Sequence, residues 1–374
     1  MWREVGCDLT TPTLAVRKEG LLAVEFKSLL DKEAALRSEK PSLLDNELLL
    51  RRKQCTLTIP TARPHCATRA QVLVLALLAC SGSSAPTTAV PNLAVPTSWS
   101  NRLGLTLTPV TTGVWAAERP FVWNKIDVGG RSVIARMAAG PGESVGKLVV
   151  HSPIEWTPSL GETLASLGDV GALIAPNYEH LKYIAQWATR YPEAQVWACP
   201  GLSSRMPEVA WTHEFTSEPF NAPAGLEALW LDVEVNPFTG KPFFNEVVFF
   251  RAQTKTLFVT DCFWNYPVCD RPNFDGITGT GSVHACPRTP VSSSTLPSVP
   301  VPRGTTLWKF GMDRVYLPFY RGLMVGGSAE RRRRYEAAVE RLLAWDVEVL
   351  VPCHGDVIRG KGLCRSVLRD HFES

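Results

Sequence analysis

Val347-Glu-Val-Leu-Val-Pro-Cys-His-Gly-Asp356 sets an apolar run, Val347–Val351, directly against a Pro-Cys-His-Gly turn that carries His354. A short apolar run closed by Pro and Gly reads as a buried strand. Polar residues at the ends of buried strands are where layered α/β folds build their sites. Two other apolar runs end in the same way: Thr256–Thr260 leads into Asp261, and Val170–Ala175 leads into Pro176-Asn177-Tyr178-Glu179-His180. Glu246–Phe250 precedes the Asp261 strand, and Arg251-Ala-Gln-Thr-Lys255 between them reads as a hairpin. Lys147–His151 is a fourth run, ending at Ser152-Pro153 with His151 as its last residue.

The remaining pattern supplies the layers. Val114–Trp115, Ser132–Met137 and Gln195–Cys199 read as strands, the first two near turns at Gly113 and Gly129-Gly130. Thr157 can cap a helix that has Pro158 at its first position and Gly168 past its end. His180, Ile184, Trp187, Ala188 and Tyr191 recur at helical spacing before Pro192. Ser328 can cap a helix whose stripe is Tyr335, Ala338, Val339, Leu342 and Leu343. Strand and helix alternate in the first half, and a hairpin then a helix–strand pair follow. This predicts two mixed sheets with outer helices, an α/β layered domain.

Composition narrows the function classes. With 45% hydrophobic and 20% charged residues over 374 positions, the chain has ample material for a core. A formal charge of +3 is too mild to argue for nucleic acid or an anionic membrane as partner. Arg331–Arg334 reads as a solvated helix face. No segment offers the roughly 20 apolar residues of a spanning helix. The 10 cysteines form no C-x-x-C pair, and no G-x-S-x-G elbow is present for a serine hydrolase.

The first 98 residues differ from the rest. No Asp or Glu occurs between Glu47 and Glu118, and basic residues there precede the apolar run Val72–Ala79 and the small residues after Cys80. That order describes a targeting segment, with Ala85–Pro96 as a linker. The folded domain is expected over 99–374, with 268–303 as a Pro/Ser/Thr-rich insertion.

The strand-end polar residues resemble the metallo-β-lactamase superfamily. That family has a His-x-His-x-Asp-His motif after an early strand, a bridging Asp after a later hairpin, and a final His in a Pro-Gly-His-Gly-like loop. Within it, Val150-His-Ser-Pro153, Ile174-Ala-Pro-Asn-Tyr-Glu-His180, Val259-Thr-Asp-Cys-Phe-Trp-Asn265, Trp308-Lys-Phe-Gly-Met-Asp313 and Tyr316-Leu-Pro-Phe-Tyr-Arg321 are similar to the uncharacterised "domain of unknown function 4336" family of plants, algae and bacteria. The resemblance implies a metallo-β-lactamase-like αββα sandwich. It also implies a site that departs from the two-metal pattern. Ala175 and Asn177 stand where the leading histidines would be, and no His lies between His213 and His284, so the first metal position is expected to be absent. Glu179, His180, Asp261 and His354 remain at the second position, for one Zn, Fe or Mn ion. Asn177 and His151 are the candidates for positioning water or acting as base. The resemblance implies a mononuclear hydrolase of an unknown small-molecule substrate, or a degenerate binding relic of the fold, with no nucleotide cofactor. Its photosynthetic lineage makes a plastid the expected location, with secretion or a lipid anchor at Cys80 as the alternative.

Overall fold

A computed structural model describes residues 98–142, 145–215, 222–267 and 299–373. The expected targeting segment and all of the expected insertion except residues 299–303 lie outside the described residues. Arg303, the last residue of that expected insertion, already opens a helix.

The described strands are β1 (Thr108–Thr111), β2 (Val114–Arg119), β3 (Val122–Trp123), β4 (Ile126–Asp127), β5 (Gly130–Arg136), β6 (Leu148–His151), β7 (Val170–Ala175), β8 (Gln195–Ala198), β9 (His213–Glu214), β10 (Glu227–Trp230), β11 (Val247–Arg251), β12 (Thr256–Val259), β13 (Val349–Pro352) and β14 (Ile358–Arg359). The α-helices of four residues or more are α1 (Pro158–Leu167), α2 (Ile184–Arg190), α3 (Leu202–Arg205), α4 (Arg303–Gly311), α5 (Ala329–Ala344) and α6 (Lys361–Phe372). Beyond α4 the chain winds on through π-helical turns at Met312–Tyr316 and Tyr320–Met324.

One sheet runs β1-β2-β5-β6-β7-β8-β9 and the other β10-β11-β12-β13-β14, with β3-β4 a separate ribbon. The sheets pack face to face, because Val247, Phe249, Phe258, Val349 and Val351 join one buried cluster with residues of β2, β5, β6, β7 and β8. The alternation along β11 and β13 is the period-two signature of inward-facing positions. Leu160, Leu164, Ile184 and Trp187 seal the first sheet from outside through α1 and α2. Helix α5 packs on β10, and α6 packs on β13, β14 and α5. Both faces of each central strand are therefore covered, and β6, β12 and β13 are buried at every position. This is the αββα arrangement expected from the sequence.

Local signals explain the elements. Thr157 accepts the Leu160 amide at 3.3 Å to cap α1. Ser328 accepts the Arg331 amide at 3.2 Å to cap α5. Of the arginine run, Arg332 pairs with Glu336 and Arg334 with Asp232. The 251–255 connection is a 3-10 turn closed by Lys255 at φ 49°. One expectation is corrected: the helix does not begin at His180 but at Ile184. The Asn177 side chain takes the backbone N–H groups of Glu179 and His180 and holds them in a turn. No helix among the described residues is long and apolar enough to cross a membrane.

Candidate metal centre

Two parallel strand pairs place the site. Strands β12 and β13 run parallel with Val259 opposite Pro352. Two residues further on, Asp261 and His354 therefore leave the same sheet edge side by side. Strands β6 and β7 are also parallel, with His151 opposite Ile174, and so the Ser152 and Asn177–His180 turns emerge together. Backbone hydrogen bonds from Val247 to the Pro176 carbonyl and from Tyr178 to the Phe244 carbonyl, both 2.9 Å, tie the two sheets at this rim.

Three ligand-type side chains meet there. His180 Nε2 lies 3.2 Å from Asp261 Oδ2, His354 Nε2 lies 3.3 Å from Asp261 Oδ1, and the two Nε2 atoms are 3.3 Å apart. Around a tetrahedral zinc with bonds of about 2.0–2.1 Å, neighbouring donor atoms are about 3.3–3.4 Å apart. The donor set fits one small divalent ion, and two imidazoles with one carboxylate suit zinc or ferrous iron. His180, Asp261 and His354 form the one group of potential metal-holding side chains found among the described residues.

The surrounding residues aim the three. His354 Nδ1 lies 2.8 Å from the Gly129 carbonyl, so the ring proton sits on Nδ1 and the Nε2 lone pair faces the centre. Gly129 sits at φ 65°, and a Cβ there would meet the Trp99 ring at 2.8 Å. Ser152, itself at φ 55°, places Oγ 2.6 Å from His180 Nδ1. The Asn177 amide donates to Asp261 Oδ2 at 2.7 Å and to Thr260 Oγ1 at 2.9 Å. Beneath it, buried Glu246 accepts the backbone N–H groups of Thr260, Asp261 and Cys262 at 2.6–2.9 Å. Gly355, at φ 104°, passes so close to Asn265 that a Cβ would lie 1.9 Å from the Asn265 carbonyl oxygen.

The centre favours positive charge. Burial alone would push the His180 imidazole down, but the Asp261 charge and hydrogen bond outweigh it and hold the ring well above the usual range. Burial would likewise raise Asp261, yet the two imidazoles hold its carboxyl far below the usual carboxylate range. A field that retains a proton on His180 also favours a cation.

The sequence candidates fall in different places. His180, Asp261 and His354 are brought together. Glu179 is exposed and falls outside the metal-holding group. A β7 end that aims Asn177 and His180 at the rim turns the intervening Glu179 towards solvent. Asn177 is fully buried, and its amide is committed to the turn and to Asp261. His151 points between the sheets against Phe249 and Phe258, with ring centroids 5.5 and 6.0 Å away. Neither of its ring nitrogens finds a hydrogen-bond partner among the described residues. Burial, with the His180 charge second, pushes its pKa down to about 3. Ser152 and Glu246 had no assigned role from sequence, although both flank strands that were legible. The aromatic stretch beside Asp261 is buried: Trp264 donates to Asp313 at 2.9 Å, and Tyr266 accepts from Trp308 at 2.9 Å.

Residues 112–272 match the family model described as "Domain of unknown function (DUF4336)", the family that the sequence motifs resemble. No curated protein matches the chain at a significant level. Similar solved structures include the DIM-1 metallo-β-lactamase exposed to ceftazidime, at 9% identity and TM-score 0.40, covering 71% of this chain and 96% of that one. A metallo-β-lactamase from Pontibacter korlensis is similar at 12% identity and TM-score 0.39, covering 71% and 98%. The metal-soaked Flv1 flavodiiron core from Synechocystis sp. PCC6803 is similar at 13% identity and TM-score 0.44, covering 71% and 60%. The chain itself forms two facing sheets with outer helices, an αββα layered domain, with a His/Asp/His cluster at one rim able to hold a metal.

Proposed function

We propose that this protein is a mononuclear metal-dependent hydrolase whose single ion is held by His180, Asp261 and His354. The observation that carries the reading is the convergence of two imidazole nitrogens and a carboxylate within 3.2–3.3 Å of one another at one sheet rim. A divalent ion held by His180, Asp261 and His354 would supply Lewis acidity at this rim. The protein's own residues set the geometry. Gly129 fixes the His354 tautomer, Ser152 holds His180, and Asn177 clamps Asp261. Glu179, outside the group, is not required as a ligand in this reading. The buried Tyr266 ring, 6.2 Å from that of His354 and inclined 28° to it, packs against the His354 side chain.

Metal analysis of the full chain, expressed with zinc, iron and manganese supplied, tests this. About one ion per chain is expected, lost in His180→Ala and Asp261→Ala and retained in Glu179→Ala. A protein that emerges metal-free would instead be a non-catalytic binding relic of the fold. The acid-poor segment before residue 99 supports import into a plastid, and N-terminal sequencing of the mature protein checks where it is cleaved.

A further inference from the structure

On the far side of the His354 turn, Cys353, Gly355 and Asp356 border a cavity of about 70 Å³. At roughly 10–15 Å³ per water on this measure, it has room for about five waters, or for a small oxyanion with some solvent. Three arginines line it, Arg102, Arg131 and Arg359, against two carboxylates, Glu118 and Asp356. The count leaves one positive charge over, and the pairing shows where it lies. Arg131 is spent: it grips Glu118 Oε1 through Nη2 at 2.6 Å and Nε at 3.0 Å, and donates to the Pro352 carbonyl. Arg102 is different. Its side chain is 3% exposed, and none of its three guanidinium nitrogens makes a hydrogen bond among the described residues. Its ion-pair contact is Asp356 Oδ2 at 3.7 Å, beyond hydrogen-bond reach. Arg359, half-buried on β14, makes no side-chain hydrogen bond or ion pair among the described residues, and burial lowers its pKa.

A guanidinium carries five N–H donors, and leaving them unmade in a buried site is costly. Natural structures fill such a gap with a partner of opposite charge. The planar fork of an arginine matches the paired oxygens of a carboxylate or phosphate. From the unspent donors of Arg102 and the unpaired Arg359, which line the same partly open cavity, we propose that this cavity is a binding site for a small oxyanion, phosphate or carboxylate, distinct from the metal centre. The anion completes the hydrogen bonds of Arg102, with Arg359 closing the site from the edge strand. Because the cavity wall includes Gly129, whose carbonyl holds His354, and both neighbours of His354, an anion-bearing substrate seated here would lie against the ligand turn.

Calorimetric titration of the full chain with inorganic phosphate, and separately with acetate, tests the site, on protein stripped of metal by a chelator that is then removed by gel filtration, so that the outcome does not depend on the metal. Saturable 1:1 binding of one of the two is expected, and the one that binds identifies the chemistry. Losing one charge-assisted contact weakens binding about 10–100-fold, so Arg102→Gln and Arg359→Gln should both do so. Arg334→Gln, whose arginine pairs with Asp232 on the surface, should leave it unchanged. Arg359→Gln keeps the test decisive should the buried Arg102 variant fail to fold. Absence of binding by either anion up to tens of millimolar, or equal affinity in Arg359→Gln, overturns the proposal.

Discussion

Glu234 offers the sharpest quantitative test of the packing behind the site. Its side chain is 3% exposed, and Oε2 accepts the amides of Phe244 at 3.1 Å and Asn245 at 3.4 Å. Oε1 is buried without a partner among the described residues. Burial therefore raises its pKa from an ordinary 4.5 to about 8, and the charges of Glu246 and Asp261 push the same way against those two amides. The sign follows from proton counting. Between 4.5 and 8 the folded chain binds the proton and the unfolded chain does not. Stability from this group is thus complete below the unfolded value and is lost as pH rises through the folded one. At about 1.36 kcal/mol per unit, the loss between pH 5.5 and 8.5 comes to about 3 kcal/mol. Glu234→Gln removes the titration and keeps an acceptor for the two amides. Urea unfolding of both proteins across that range should show the wild type losing about 3 kcal/mol relative to the variant. Any constant offset from the new amide is immaterial, because the slope carries the test. Parallel curves would refute the assignment of a neutral carboxylic acid at this position.

His151 should behave with the opposite sign. Its folded pKa of about 3 lies below an ordinary 6.5, so acidification charges the unfolded chain first. His151→Leu should gain about 2 kcal/mol over the wild type on going from pH 8 to pH 5, measured by urea midpoints; no pH-dependent difference would mean that the ring is solvated. Glu246→Gln puts an amide N–H₂ against backbone donors that now share a carboxylate, and should cost about 3 kcal/mol by thermal melting. Gly355→Ala meets both a positive φ and the Asn265 carbonyl, and should cost at least about 2 kcal/mol and lower the bound metal per chain; an unchanged melting temperature would contradict the close approach.

Much of the framework is carried by local chemistry. Thr157 and Ser328 cap their helices because a side-chain oxygen satisfies a free helix N–H wherever that pattern occurs. The runs Val170–Ala175, Leu257–Val259 and Val349–Val351 are continuous and apolar because sheets covered on both faces need such strands. For that reason the Asn177–His180 stretch, Asp261 and His354 stood out in the sequence as polar residues past buried strands, while the ligand set, Glu179 included, followed only from the family resemblance. The helix start was misplaced at His180 because its apolar spacing continues that of α2, while the Asn177 bonds that bend the turn leave no trace in periodicity.

Sequence by itself determined the strands β2, β5 to β8 and β11 to β13 and the helices α1, α2 and α5, since period, caps and turn residues act over a few positions. The tertiary structure decided which side chains share a centre. Parallel pairing in register joins Asp261 to His354, and contact between the two sheets brings His180 to them while turning Glu179 outward and His151 into the core. The partners of Ser152, Glu246 and Arg102 were equally invisible, because they lie 28 residues away for Ser152, 14–16 for Glu246 and on the far C-terminal turn for Arg102. Contacts across such separations depend on how sheets stack, and no short-range pattern encodes that.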